Sequence, residues 1–220
     1  MPANETAPTT KRTGKYLVWF DTEYSDLDLE RAALLQVSAL ITDLSLRPAL
    51  PREKDIHLCI RLADDIQLSP WVENNIPDLV AACRASSAVD CDEADRLLAE
   101  YIDAVAGPPA EREDMRPFLA GNSVHADWRL ALKFLPRFIG RLHYRHLDVT
   151  ALKIEWGLLH PGEEFIKEDP ENIRRYFPEA RLTAAGVRHD AYYDIQASIA
   201  ELSFYRQHLF HVREGAGHAD

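Results

Sequence analysis

The feature that most constrains this chain is the run Tyr16-Leu17-Val18-Trp19-Phe20, which leads without a break into Asp21-Thr22-Glu23. An apolar run without alternation suits a strand covered on both faces, hence one at the centre of a sheet. Side chains alternate along a strand, so Asp21 and Glu23 point to the same side. Two carboxylates held together at the end of a buried strand repel each other and lose hydration, which is costly without compensation. A divalent cation is the usual compensation, because hard cations prefer carboxylate oxygens. Asp-x-Glu alone is a common pattern, and its bland alternative is a pair of loop acids just beyond the strand.

The rest of the 220 residues bound what such a strand can serve. The length fits one large domain or two small ones, with ample chain for a core. No apolar stretch approaches a membrane span, so no membrane partner is expected. Residues 1–14 lack an apolar h-region and read as a disordered tail rather than a secretory signal. Residues 213–220 read the same way, leaving 15–212 as a single domain. Cys59, Cys83 and Cys91 are odd in number and show no zinc spacing, which suits buried or incidental thiols in a reducing, cytoplasmic setting. The formal charge of −11 argues against a protein that tracks long nucleic acids, since phosphate runs need a basic surface. It leaves room for an enzyme acting on a very short one, with part of the negative charge held in a metal site.

Periodicity fills in the elements. Residues 33–43 form a second long strand, and 56–62 alternate as a third with one exposed face. The spacing of the first three strands favours an antiparallel meander. Ser69 can cap a helix with Pro70 at its first position, and Pro77 breaks that helix or begins the next. Residues 92–105 carry apolar side chains at helical spacing, and 107–117 read as a connecting loop. A short strand over 118–123 enters a turn. Residues 127–135 are helical, and Pro136 divides them from a second short helix ending near Gly140. A strand over 144–149 and a helix over 150–159 follow. Residues 161–186 show no readable pattern, and 189–210 read as a long amphipathic helix bearing Ile195, Ile199, Leu202 and Leu209. Strands followed by helices that alternate with shorter strands indicate a mixed central sheet with helices on both faces, the α/β or α+β class.

Three separated pieces carry the chemistry. They are Asp21 with Glu23, the stretch Gly121-Asn122-Ser123-Val124-His125-Ala126-Asp127, and His189-Asp190-Ala191-Tyr192-Tyr193-Asp194. Five residues on a regular helix turn about 140° away, so His189 and Asp194 cannot share a helical face. His189 is better placed in the entering loop, with Asp194 on the first turn or two, from where both reach one site.

Asp21-Thr22-Glu23, Asp127 and His189-x-x-x-x-Asp194 resemble the DEDDh branch of the 3′→5′ exonucleases, which have an RNase H-like fold. Within that branch the chain is most similar to the oligoribonucleases. The likeness extends to Asp43, Ser69-Pro70-Trp71-Val72, Gly121-Asn122-Ser123, His143-Tyr144-Arg145, Leu147-Asp148-Val149-Thr150 and the stretch 195–206. It spans most of 16–209. It implies a two-metal phosphodiesterase using Mg²⁺ or Mn²⁺, a pair suited to an all-oxygen site. Asp21 would bridge both ions, Glu23 and Asp194 would complete the site of the ion that holds the attacking water, and Asp127 would act mainly through water held by the ions. His189 would be the general base, with a pKa near neutrality. The expected substrate is short single-stranded RNA, from dinucleotides to short oligonucleotides, and the expected assembly is a homodimer.

The resemblance also supplies a substrate-binding set. Leu27 occupies the place of a Leu that wedges against the bases, and Trp71 is placed to line the substrate site. Ser123, Arg145 and Thr150 match a cap on the substrate's 5′ phosphate, where Arg forms a fork and hydroxyls donate. One stretch departs from the family: where a His and a Gly-x-Ser-Gly-Leu usually follow Ser-Pro-Trp-Val, this chain has Glu73-Asn74-Asn75-Ile76-Pro77-Asp78-Leu79-Val80. One wall of the phosphate pocket is altered, and a strict preference for dinucleotides is in question. The stretch 161–188 is longer than usual and is expected to form a lid or a dimer contact. Arg129, Lys133, Arg137 and Arg141 recur every four residues, but Pro136 interrupts them and a solvated face is expected. Asp148 is expected to be structural. Two rival functions stay open: a DEDDh exonuclease trimming longer RNA or single-stranded DNA, and an inactive binding module of the same fold.

Overall fold

The computed structural model describes residues 15–109, 115–182 and 190–209. The expected tails at 1–14 and 213–220 and the expected base His189 lie outside the described residues. Five strands form one sheet in the order β3-β2-β1-β4-β5. They are β1 Tyr16–Tyr24, β2 Leu34–Asp43, β3 Ile56–Cys59, β4 Phe118–Gly121 and β5 His146–Asp148. The apolar run is the central strand. It pairs antiparallel with β2 and parallel with β4, while β2 pairs antiparallel with β3. The meander and the mixed sheet are as expected.

Both faces of β1 are covered, which is why its apolar run does not alternate. Val18 and Phe20 pack with Ile102, Leu130 and Phe138 in one layer, supplied by α3 Cys91–Ala106, α4 His125–Phe134 and α5 Pro136–Ile139. Leu17 and Trp19 pack with Trp156, Ile173 and Ile199 in the other, supplied by α6 Val149–Leu159, α7 Pro170–Tyr176 and α8 Ala191–His208. Between them, the remaining helices α1 Pro70–Asn75 and α2 Pro77–Arg84 cover Leu35 with Val72, Ile76 and Val80. Ser69 caps α1 by accepting from the Val72 N–H, and Pro77 opens α2.

Three expectations need correction. The third strand stops at Cys59 rather than 62: Ile60 N–H still donates to Leu35 O of β2, but the next residues turn to other partners, with Arg61 N–H donating to Val89 O and Leu62 N–H to Cys83 O. The fifth strand begins at His146 rather than 144, since Arg145 N–H turns back to His143 Nδ1. The last helix is not amphipathic. Ile195, Gln196, Ala197, Ser198, Ile199, Ala200, Glu201 and Leu202 are all buried, because α8 is wedged between the sheet and helices α6 and α7. The basic row behaves as expected of a solvated face: Arg129 pairs with Glu30, Arg137 with Asp92 and Arg141 with Asp103.

Candidate active site

Strand parity builds the first half of the site. Asp21 and Glu23 follow Leu17 and Trp19 on the face covered by α8, and they sit within the strand, not in a loop beyond it. Thr22 faces the other way, toward α4. Asp194 arrives on the first turn of α8, whose N-cap Asp190 accepts from Tyr192 and Tyr193 N–H groups. That turn is docked by Gln36, which lies opposite Glu23 in the β1–β2 ladder and accepts from the Ala191 N–H at 2.9 Å. Asp21, Glu23 and Asp194 each offer a carboxylate oxygen, and these lie within 4.8 Å of one another.

Asp127 comes from the opposite layer, in the first turn of α4. Its Oδ1 accepts from both the Thr22 N–H at 3.0 Å and the Thr22 hydroxyl at 2.7 Å. One oxygen is therefore spent on the strand, and Asp127 stands outside the three-acid group while lining the same cavity. The end of β4 favours Gly121, since a Cβ there would lie 3.1 Å from Phe20 O and 3.1 Å from a Val124 methyl, tighter than ordinary contact.

The cavity measures about 540 Å³ and is lined by all four acids together with Leu27, Trp71, Ser123 and Lys167. Burial first, and then the neighbouring carboxylates, hold Asp21 well above the usual range and push Glu23 up to about 7. Burial also raises Asp127 to about 6, against the lowering effect of the Thr22 hydrogen bonds. Proton affinity raised by burial and like charge is the signature of anions short of a cation. Lys167 supplies part of that deficit, with Nζ 3.1 Å from Asp194 Oδ1. A cluster of hard oxygen donors of this charge fits Mg²⁺ or Mn²⁺ better than softer metals.

The remaining expected residues fall into two groups. Leu27 is 86% exposed and Trp71 48% exposed, and both line the cavity. Ser69 at the start of α1 is tied to the loop that bears Leu27 by its N–H to Ser25 O at 2.9 Å. Ser123 also lines the cavity, with a positive φ of 51°. Its N–H donates to Asp148 Oδ1 and to Thr150 Oγ1. Asp148 at the same time caps α6 by accepting from the Thr150 N–H, a structural role as expected. Arg145 lies outside the cavity lining, with its guanidinium 5.2 Å from the centre of the Tyr144 ring.

Thr150 is constrained by a chain of bonds that the sequence does not disclose. Buried Glu201 accepts from the Tyr205 hydroxyl and from Asn122 Nδ2. A carboxylate only accepts, so Asn122 presents its amide nitrogen to Glu201 and Ser198 and its oxygen to Thr150. The single hydroxyl hydrogen of Thr150 is thus directed at Asn122, so at the 3.2 Å contact between the two hydroxyls Ser123 donates and Thr150 accepts, and of the two residues Ser123 lines the cavity. Gln36, Glu201 and Lys167 are site residues missed in the sequence. Gln36 and Glu201 were discoverable as polar residues inside otherwise apolar stretches. Lys167 had no such signal.

No family model matches the chain. It is 34% identical to a probable oligoribonuclease of Schizosaccharomyces pombe, over 87% of this chain and 68% of that protein. It is 30% identical to an oligoribonuclease of Corynebacterium glutamicum, over 96% and 88%. Among solved structures, exonuclease I from Methylocaldum szegediense superposes with a TM-score of 0.60 at 20% identity, covering 88% of this chain and 41% of that one. The Mg²⁺- and Mn²⁺-bound form of Schizosaccharomyces pombe Pop2p gives a TM-score of 0.55 at 12% identity, covering 87% and 83%. The fold is that of the RNase H-like exonucleases.

Proposed function

The chain belongs to the oligoribonuclease family, and on that premise we propose that it hydrolyses short single-stranded RNA from the 3′ end, releasing nucleoside 5′-monophosphates. The observation that carries this reading is the meeting of Asp21, Glu23 and Asp194 oxygens within 4.8 Å, with Asp127 on the same cavity. Asp21, Glu23 and Asp194 would hold two divalent cations, Mg²⁺ or Mn²⁺, with Asp127 acting through its remaining oxygen and water. When bound, such a pair stabilises charge on the entering and leaving oxygens of an in-line displacement.

The chain's own groups do the rest. His189 takes the proton of the attacking water as general base. Leu27 and Trp71, apolar and partly in water at the cavity mouth, pack against the bases. The Ser123 hydroxyl turns from Thr150 to donate to the 5′ phosphate, and Arg145 joins the cap by leaving the Tyr144 ring. A homodimer is supported by α6, which exposes Ile154, Leu158 and Leu159, an apolar group that a second copy would cover. The free cysteines fit a cytoplasmic protein, and among the described residues no helix is long and apolar enough to cross a membrane.

One observation favours a second reading, an exonuclease that trims longer chains: Ser123 alone of the three cap residues lines the cavity. Rates on RNA of two, five and twenty nucleotides, measured with Mg²⁺ or Mn²⁺ present, decide between them. The capped enzyme should lose activity as length grows. Equal rates at all three lengths would select the trimming reading.

A further inference from the structure

We propose that Lys167 is a phosphate-binding residue of this site and a built-in competitor of its cations, an inference that rests on the exoribonuclease reading for its substrate half only. Lys167 is the one cationic side chain among the described residues that line the cavity. Its backbone is fixed on both sides: the Tyr193 hydroxyl donates to Lys167 O at 2.9 Å, and Asn172 Nδ2 donates to Ile166 O at 3.0 Å. Phe165, buried at 4% exposure, anchors the same segment. What can move is the side chain, 47% exposed on a flexible four-carbon stem.

Its present partner is a carboxylate of the acid group that would hold the cations. Nζ lies 3.1 Å from Asp194 Oδ1, and Asp194 belongs to the three-acid group. An ammonium and a divalent cation cannot share that carboxylate without repulsion. A cation that takes Asp194 therefore displaces Nζ, and metal binding is weakened by the energy of the broken ion pair. The displaced ammonium keeps three donors beside a cavity that receives a phosphodiester, which carries negative charge and acceptor oxygens. The same side chain thus counterbalances the acids before the metal binds and the substrate afterwards.

Two variants test this, Lys167→Met and Lys167→Arg. Calorimetric titration with Mn²⁺ in the absence of RNA should show severalfold tighter binding in Lys167→Met and near-native binding in Lys167→Arg. At saturating Mn²⁺, kcat/KM on a five-nucleotide RNA should fall about ten- to a hundredfold in Lys167→Met, the size of one charge-assisted hydrogen bond, and recover in part in Lys167→Arg. Unchanged Mn²⁺ affinity in Lys167→Met would overturn the competition. Unchanged kcat/KM would overturn the phosphate contact. Wild-type protein inert on every RNA strikes at the exoribonuclease reading itself, and is distinguished because the metal titration needs no RNA.

Discussion

One acid, Asp55, and the acid pair Asp21 and Glu23 both neighbour the first turns of α8, and they are treated in opposite ways. Asp55, whose side chain is 3% exposed, receives Arg181 Nη1 at 2.6 Å, the Tyr192 hydroxyl at 2.7 Å and the Tyr101 hydroxyl at 3.1 Å. Each of its oxygens has a donor, and the ion pair joins residue 181 to the β3 side of the sheet. Among the described residues Asp21 and Glu23 receive no such set, and share a half-exposed lysine that bonds to their neighbour. A buried carboxylate surrounded by donors is part of the framework, whereas one surrounded by other carboxylates is poised for a ligand of opposite charge. The difference separates structural acids from reactive ones without reference to any relative.

The sharpest way to break that comparison is Asp21→Asn. Turnover should fall by about a thousandfold or more, while the melting temperature in chelator stays level or rises, because burial and repulsion no longer act on a charge. A variant that unfolds would place Asp21 with the framework acids. Arg181→Met should do the reverse, costing about 3–5 kcal/mol by stranding Asp55 as an unpaired buried charge, read by denaturant unfolding. A loss below about 1 kcal/mol would remove the contrast.

The smallest effect sharpens it through pH. Glu23 ionises at about 7 in the folded protein against an ordinary value of 4.5. Between those values the native state holds more protons than the unfolded one, so stability falls as pH rises through the window. In chelator the melting temperature should be roughly 4–8 °C higher at pH 5.5 than at pH 8 from this source. Saturating Mg²⁺ should raise the pH 8 value and narrow the gap. A gap unchanged by Mg²⁺ would mean that Glu23 is not among the acids the cation relieves.

Much of the sheet was legible because β1 announces itself. Its unbroken apolar run needs two covered faces, and its parity puts both acids on one of them. The acid group was legible for the same reason, and because the spacing of His189 and Asp194 puts Asp194 on the first turn or two of the last helix. What failed were features fixed by distant partners. The end of β3 depends on Val89 and Cys83, and nothing local to residues 60–62 reports them. The burial of α8 on nearly every side follows from α6 and α7 lying over it, so polar residues such as Gln196 and Ser198 are interior and the expected amphipathic pattern is absent. Lys167 was illegible because a single lysine in an aperiodic stretch has no spacing to betray it. The hydroxyl of Thr150 was legible as a site residue, but its direction depends on Glu201, 51 positions away.

The β1 alternation has a consequence for how this chain can vary. Leu17, Trp19, Asp21 and Glu23 address one layer, while Val18, Phe20 and Thr22 address the other. Because both layers are apolar, a strand one residue longer or shorter would still find a greasy bed on each side. It would, however, turn the two acids toward α4 and set a threonine before Asp194. The spine of the molecule therefore tolerates exchanges of one bulky side chain for another while permitting no insertion or deletion within β1 ahead of position 21, and the molecule could lose its chemistry in one step without losing its shape.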